Sequence, residues 1–144
     1  MDGLRQEANA CFTQEAQPGG TTLWTVPVGA LTNSPTGPLE LLEYFPSDVE
    51  IKAGDTVRWT AKTPHSVTLL SGQELPTGEP TRIPPARPPD KYDGQSLYHS
   101  GIFALGPQAP AEFELTFPEA GTFPYICVLH VPLGHRGTIT VQSG

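Results

Sequence analysis

Methionine occurs once in this chain of 144 residues, at Met1, and charge is sparse. Only 16% of residues are charged, with 8 bases against 15 acids. The formal charge of −7 repels phosphate backbones and anionic membrane surfaces. Nucleic acid is therefore excluded as a partner, and a basic protein surface is favoured. No apolar run approaches the roughly 20 residues that span a bilayer, and no signal-peptide core follows Met1. We expect an export signal or membrane anchor upstream, with the domain itself periplasmic or extracellular. Gly-x-Ser-x-Gly, a phosphate-cradling glycine loop and a zinc-protease histidine pair are all missing, which disfavours the corresponding enzyme classes.

Glycine (15) and proline (17) are plentiful, which favours short strands joined by turns over long helices. Residues 1–20 are polar, end in Gly19-Gly20 and read as an arm; residues 21–144 form one domain. Thr21 to Val28 is β-rich, Gly37-Pro38 marks a turn, and Leu41 to Phe45 reads as a strand. Asp48 to Lys52 and Thr56 to Thr60 alternate strictly, with Val49, Ile51, Val57 and Trp59 inward and Glu50, Lys52 and Arg58 in solvent. His65 to Leu70 follows as another strand. Residues 71–100 carry six prolines, which cannot donate to a ladder, and read as a long loop insertion. Strands resume at Ala111–Phe117, Thr122–Cys127 and Gly137–Val141, with Phe113, Leu115, Phe117, Ile139 and Val141 on the apolar face. Seven or eight short strands, with neither helix nor repeat, predict an all-β, two-sheet β-sandwich.

The chemistry concentrates near the C-terminus. Cys127, His130 and His135 share one short loop between two strand-like runs, and Pro64-His65-Ser66 lies far upstream. One thiolate and two imidazoles from distant segments are the donors of a mononuclear trigonal copper site. A Cys11–Cys127 disulfide is the competing reading. The metal is preferred because Cys127 precedes His130 by three residues, while Cys11 lies in a polar stretch without metal-like neighbours. His99 reads as an exposed polar residue.

The chain resembles a cupredoxin, a small blue-copper protein of the plastocyanin and pseudoazurin type. The resemblance is carried by Phe45-Pro46-Ser47 through Val57-Arg58-Trp59, Pro64-His65-Ser66-Val67, Ser100-Gly101-Ile102-Phe103 and Phe113 to Phe117. It continues through Gly121-Thr122-Phe123, Tyr125-Ile126-Cys127-Val128-Leu129-His130 and Gly137-Thr138-Ile139-Thr140-Val141. It implies a Greek-key sandwich binding one copper, with His65, Cys127 and His130 as equatorial ligands and the Pro64 carbonyl as a further weak donor. Backbone N–H groups of Ser66 and of the loop after Cys127 would then donate to the thiolate.

Where the family carries a weak axial methionine, this chain has His135. A bound imidazole there would pull copper toward a tetragonal geometry, lower the reduction potential and turn the colour green or red. The implied function is a monomeric one-electron carrier, not an enzyme. It would work between larger redox proteins that dock near His130, on the apolar Val131-Pro132-Leu133-Gly134 collar. The alternative is an open-site, red-copper-like centre that binds small molecules or performs redox catalysis.

Overall fold

The protein is described here from a computed structural model covering residues 6, 10–69, 91–95, 98–100, 103–104, 111–128 and 135–143. Among these residues ten strands form two five-stranded sheets. The first contains β1 (Thr13–Ala16), β2 (Thr22–Ser34), β3 (Gly37–Tyr44), β5 (Thr56–Ala61) and β8 (Glu112–Thr116). The second runs β4 (Asp48–Lys52), β10 (Arg136–Gln142), β9 (Gly121–Ile126), β6 (Thr68–Leu69), β7 (Tyr98–His99). Both sheets are mixed, because β2 pairs parallel with β5 and β10 parallel with β4. The result is the expected all-β Greek-key sandwich.

Alternation explains which faces meet. In β4 and β5 every second side chain is buried, so Val49, Ile51, Val57, Trp59 and Ala61 point between the sheets. Leu115 and Phe117 enter from the β8 side, Tyr125, Ile139 and Val141 from β9 and β10. Glu50 and Lys52 are exposed as predicted, whereas Arg58 is half-buried and pairs with Glu114 at 3.0 Å. Trp59 anchors the centre, its ring against Phe113, Phe117 and Tyr125 and its indole N–H donating to the Tyr125 hydroxyl at 3.2 Å.

At the far end, Asp55 is buried yet accepts three N–H bonds, from Thr22, Lys52 and the Trp24 indole, at 2.9–3.0 Å. Those bonds offset the desolvation of a carboxylate and tie the start of β2 to the β4–β5 turn.

Three expectations need correction. The first hairpin turns at Pro35-Thr36 instead of Gly37-Pro38, because Ser34 pairs with Gly37 and extends both strands. Ten strands replace seven or eight: Thr13–Ala16 add an exposed edge strand on β2, and Tyr98–His99 pair with Thr68–Leu69. The predicted loop therefore ends sooner, in a strand too short to show alternation. Its stretch 70–90 lies outside the described residues.

Candidate metal centre

Three strand ends converge at one end of the sandwich. After β5 the chain passes Thr63 and Pro64 to His65, which is held by two backbone bonds to Phe103: His65 N–H to the Phe103 carbonyl at 3.3 Å and the reverse at 3.0 Å. On the other sheet Ile126 and Arg136 are register partners at the ends of β9 and β10. One step further, the Cys127 N–H donates to the His135 carbonyl at 3.0 Å. The ladder thus closes the base of the intervening loop and sets Cys127 beside His135.

His65, Cys127 and His135 are all fully buried. One ligand atom from each lies within 4.8 Å of the other two. The His65 Nδ1 stands 3.9 Å from the Cys127 Sγ. Two donors bound to one ion at about 2.0 and 2.3 Å, the lengths zinc makes to nitrogen and sulfur, sit about 3.7 Å apart at a trigonal angle. The separation therefore fits two donors to one ion. A soft thiolate with imidazoles is also the donor chemistry copper prefers. His130 and the Val131–Gly134 collar lie outside the described residues. Cys11 is exposed and is not joined to Cys127.

The surroundings of the sulfur match the expectation in one part and refine it in another. The Ser66 N–H reaches the Cys127 Sγ at 3.4 Å, a donor that tempers the charge of a thiolate. The first N–H after Cys127, that of Val128, donates instead to the Ser66 hydroxyl at 3.0 Å. From Ser66 a buried chain continues to Thr68 (3.1 Å) and on to the His99 Nδ1 (2.7 Å). His99 is therefore a correction: it is 2% exposed, not a surface residue, because β7 pairs with β6 and places it opposite Thr68. Burial pushes its imidazole below the ordinary range, so it is held neutral.

Several residues at the site carried no recognisable signal in the sequence. The Tyr44 ring lies 4.4 Å from that of His135 and 4.5 Å from that of Tyr125, and its hydroxyl donates to the Ser66 carbonyl at 2.7 Å. Burial, with Cys127 and Tyr125 adding to it, pushes this phenol well above its ordinary range, so it stays a neutral donor. Behind His65, the Thr63 hydroxyl and the Glu40 carboxylate meet the Nε2 edge of the ring at 3.0 and 3.4 Å. From the sequence, Tyr44 is marked only as a residue of a strand, and Glu40 lies just before that strand. Their proximity to the site follows from how β3 folds back on β2.

Comparison with known proteins bears on the family of the chain. A family model described as copper binding proteins, plastocyanin/azurin family, matches residues 36–142. A plastocyanin from Scenedesmus fuscus is 35% identical over 104 residues, 70% of this chain and 88% of that protein. Among solved structures, a Cu(I) amicyanin with a methionine-to-glutamine substitution shares the fold at a TM-score of 0.51 and 22% identity, covering 94% of this chain and 90% of that one. A Cu(I) amicyanin with a methionine-to-alanine substitution gives 0.50 at the same identity and coverage. The chain belongs to the plastocyanin/azurin family of copper-binding proteins, the cupredoxins, and its cofactor is one copper ion.

Proposed function

We propose that this protein is a one-electron carrier, not an enzyme, holding its copper between His65, Cys127 and His130 with His135 as the fourth, axial donor. The observation that carries the reading is the meeting of His65, Cys127 and His135 in a buried pocket, with one ligand atom from each within 4.8 Å of the others. Copper, when bound, supplies a one-electron couple between Cu(II) and Cu(I). The chain's own part is to keep the donors dry and still. Backbone bonds from Phe103 hold His65, the Cys127–His135 bond holds the loop base, and the Tyr44 ring backs His135. Donors that do not rearrange keep the barrier to electron transfer low.

Burial of His135 beside the other donors favours a filled fourth position over an open one, and hence the carrier over a centre that binds small molecules. An imidazole in place of a thioether stabilises Cu(II), so the potential lies below that of a methionine-ligated relative. The plastocyanin similarity and the net charge of −7 fit a monomer that meets basic redox partners near His130. Among the described residues no helix is long and apolar enough to cross a membrane. We assign the domain to residues 21–144 with the edge strand Thr13–Ala16 added to it, and place it in the periplasm or outside the cell.

The test is a titration of reduced, metal-free protein with cupric salt, followed in the visible. One equivalent should develop an intense thiolate-to-copper band that azide leaves unchanged. A sample that stays colourless refutes the copper assignment, and new bands with azide refute the closed site.

A further inference from the structure

We propose that Glu40, acting with Thr63, is a positioning residue for the copper: it holds the His65 ring with Nδ1 toward the metal and biases the bound ion toward Cu(II). The proposal rests on the reading above that His65 is a ligand. The Thr63 hydroxyl contacts both carboxylate oxygens of Glu40, at 2.9 Å to Oε1 and closer still to Oε2. The same hydroxyl lies 3.0 Å from the His65 Nε2, and Glu40 Oε2 lies 3.4 Å from that nitrogen.

The proton inventory allows one arrangement. A carboxylate only accepts, so the single hydroxyl proton of Thr63 goes to Glu40. The Thr63 oxygen is then left as an acceptor, and the His65 Nε2 must carry the proton that fills it. With Nε2 protonated, the lone pair of the neutral ring sits on Nδ1, the atom facing the Cys127 Sγ at 3.9 Å. The carboxylate thus selects the tautomer that a metal requires.

An independent feature shows that the fold makes room for this contact. The β2–β3 register slips between Val28 and Ala30, and Gly29 sits in the slip at φ +74°. A Cβ on Gly29 would stand 2.9 Å from the His65 Nε2 and 3.0 Å from Glu40 Oε2. Glycine there serves both the left-handed backbone and the space in which carboxylate and imidazole meet. The Glu40 side chain is 17% exposed and that of His65 is fully buried, so water screens the pair weakly.

The direction of the electronic effect follows from charge. With one thiolate and neutral imidazoles, a Cu(II) centre carries a net positive charge and a Cu(I) centre carries none. A fixed negative charge behind one ligand favours the first. The hydrogen bond that Nε2–H donates to the Thr63 oxygen also makes the ring a better donor, which acts in the same sense. Glu40 therefore lowers the reduction potential.

The experiment compares copper-loaded parent, Glu40→Gln and Thr63→Val by redox titration, with NMR of the His65 ring in the diamagnetic Cu(I) parent. Glu40→Gln keeps the shape and removes the charge. It should shift the Cu(I)/Cu(II) ratio at fixed ambient potential about tenfold toward Cu(I), equal to a rise of about 59 mV for one electron. Thr63→Val should shift it the same way by less. In the parent, the His65 Nε2 proton should be slow to exchange and hydrogen-bonded. An unchanged ratio in Glu40→Gln overturns the proposal. So does a parent Nε2 proton exchanging at the solvent rate, a result that stands even where a variant fails to load. A parent that takes up no copper refutes the metal reading itself, so the two failures are distinct.

Discussion

At the scale of single residues, the proposal that His135 stands where a methionine is expected can be tested directly. Exchanging it for the expected side chain isolates its contribution. His135→Met should raise the potential and move the colour toward plain blue, by absorption spectroscopy and voltammetry, because a thioether is a weaker donor to Cu(II). Equal colour and potential in parent and variant would mean that His135 does not touch the metal.

His99 sets a second prediction at this scale. Its folded pKa is depressed, so the unfolded chain binds the extra proton more readily. The stabilisation is complete above the ordinary imidazole pKa of about 6.5 and is lost as pH falls below it, with a slope of up to about 1.4 kcal/mol per pH unit. Denaturant titrations of the copper-loaded protein from pH 7.5 to 5 should show this loss, and His99→Gln should reduce it. An identical pH dependence in both proteins would refute the assignment.

At the scale of elements, the β9–β10 pair is the part of the fold that positions Cys127 and His135, and its close contact with the chain at Ser47 is testable. A Cβ on Gly137 would meet the Ser47 carbonyl oxygen at 2.6 Å and the Tyr125 ring at 2.7 Å. The same carbonyl accepts the Thr138 N–H at 2.8 Å, so it cannot simply retreat. Gly137→Ala should destabilise the protein by about 1–3 kcal/mol, as overpacking does. It should also broaden the copper spectrum by shifting the loop base; unchanged unfolding midpoints would contradict the packing described here. The strands themselves were largely legible, because Asp48–Lys52 and Thr56–Ala61 bury alternate side chains and alternation is a local property. The Tyr98–His99 strand was not legible, since two residues hold no period and their partners, Leu69 and Thr68, lie far back along the chain.

Across the whole molecule, the charge of −7 should make encounter with a basic partner depend on salt. Stopped-flow association rates should fall steeply as ionic strength rises through the physiological range, where the screening length is about 8 Å. A flat profile would place the docking energy in apolar contacts alone. Copper removal belongs at this scale too, because an ion bound only by the folded chain stabilises it by mass action. The metal-free protein should melt at a lower temperature than the loaded one in calorimetry.

The linear chain was sufficient for the choice of a sandwich, because alternation is written into neighbouring residues, and the thiol–imidazole spacing offered Cys127 as the candidate soft donor. The same local reading put His65 on the site from its place in an order of motifs. Tertiary structure alone decided what stands behind those donors: Glu40 and Thr63 at the far edge of His65, Tyr44 against His135, and the buried line from Ser66 to His99. The long-range contacts among them, Glu40 to Thr63, Thr68 to His99 and Tyr44 to His135, join residues 23, 31 and 91 positions apart, through strand register and one slipped glycine, and register is set by how whole sheets pack.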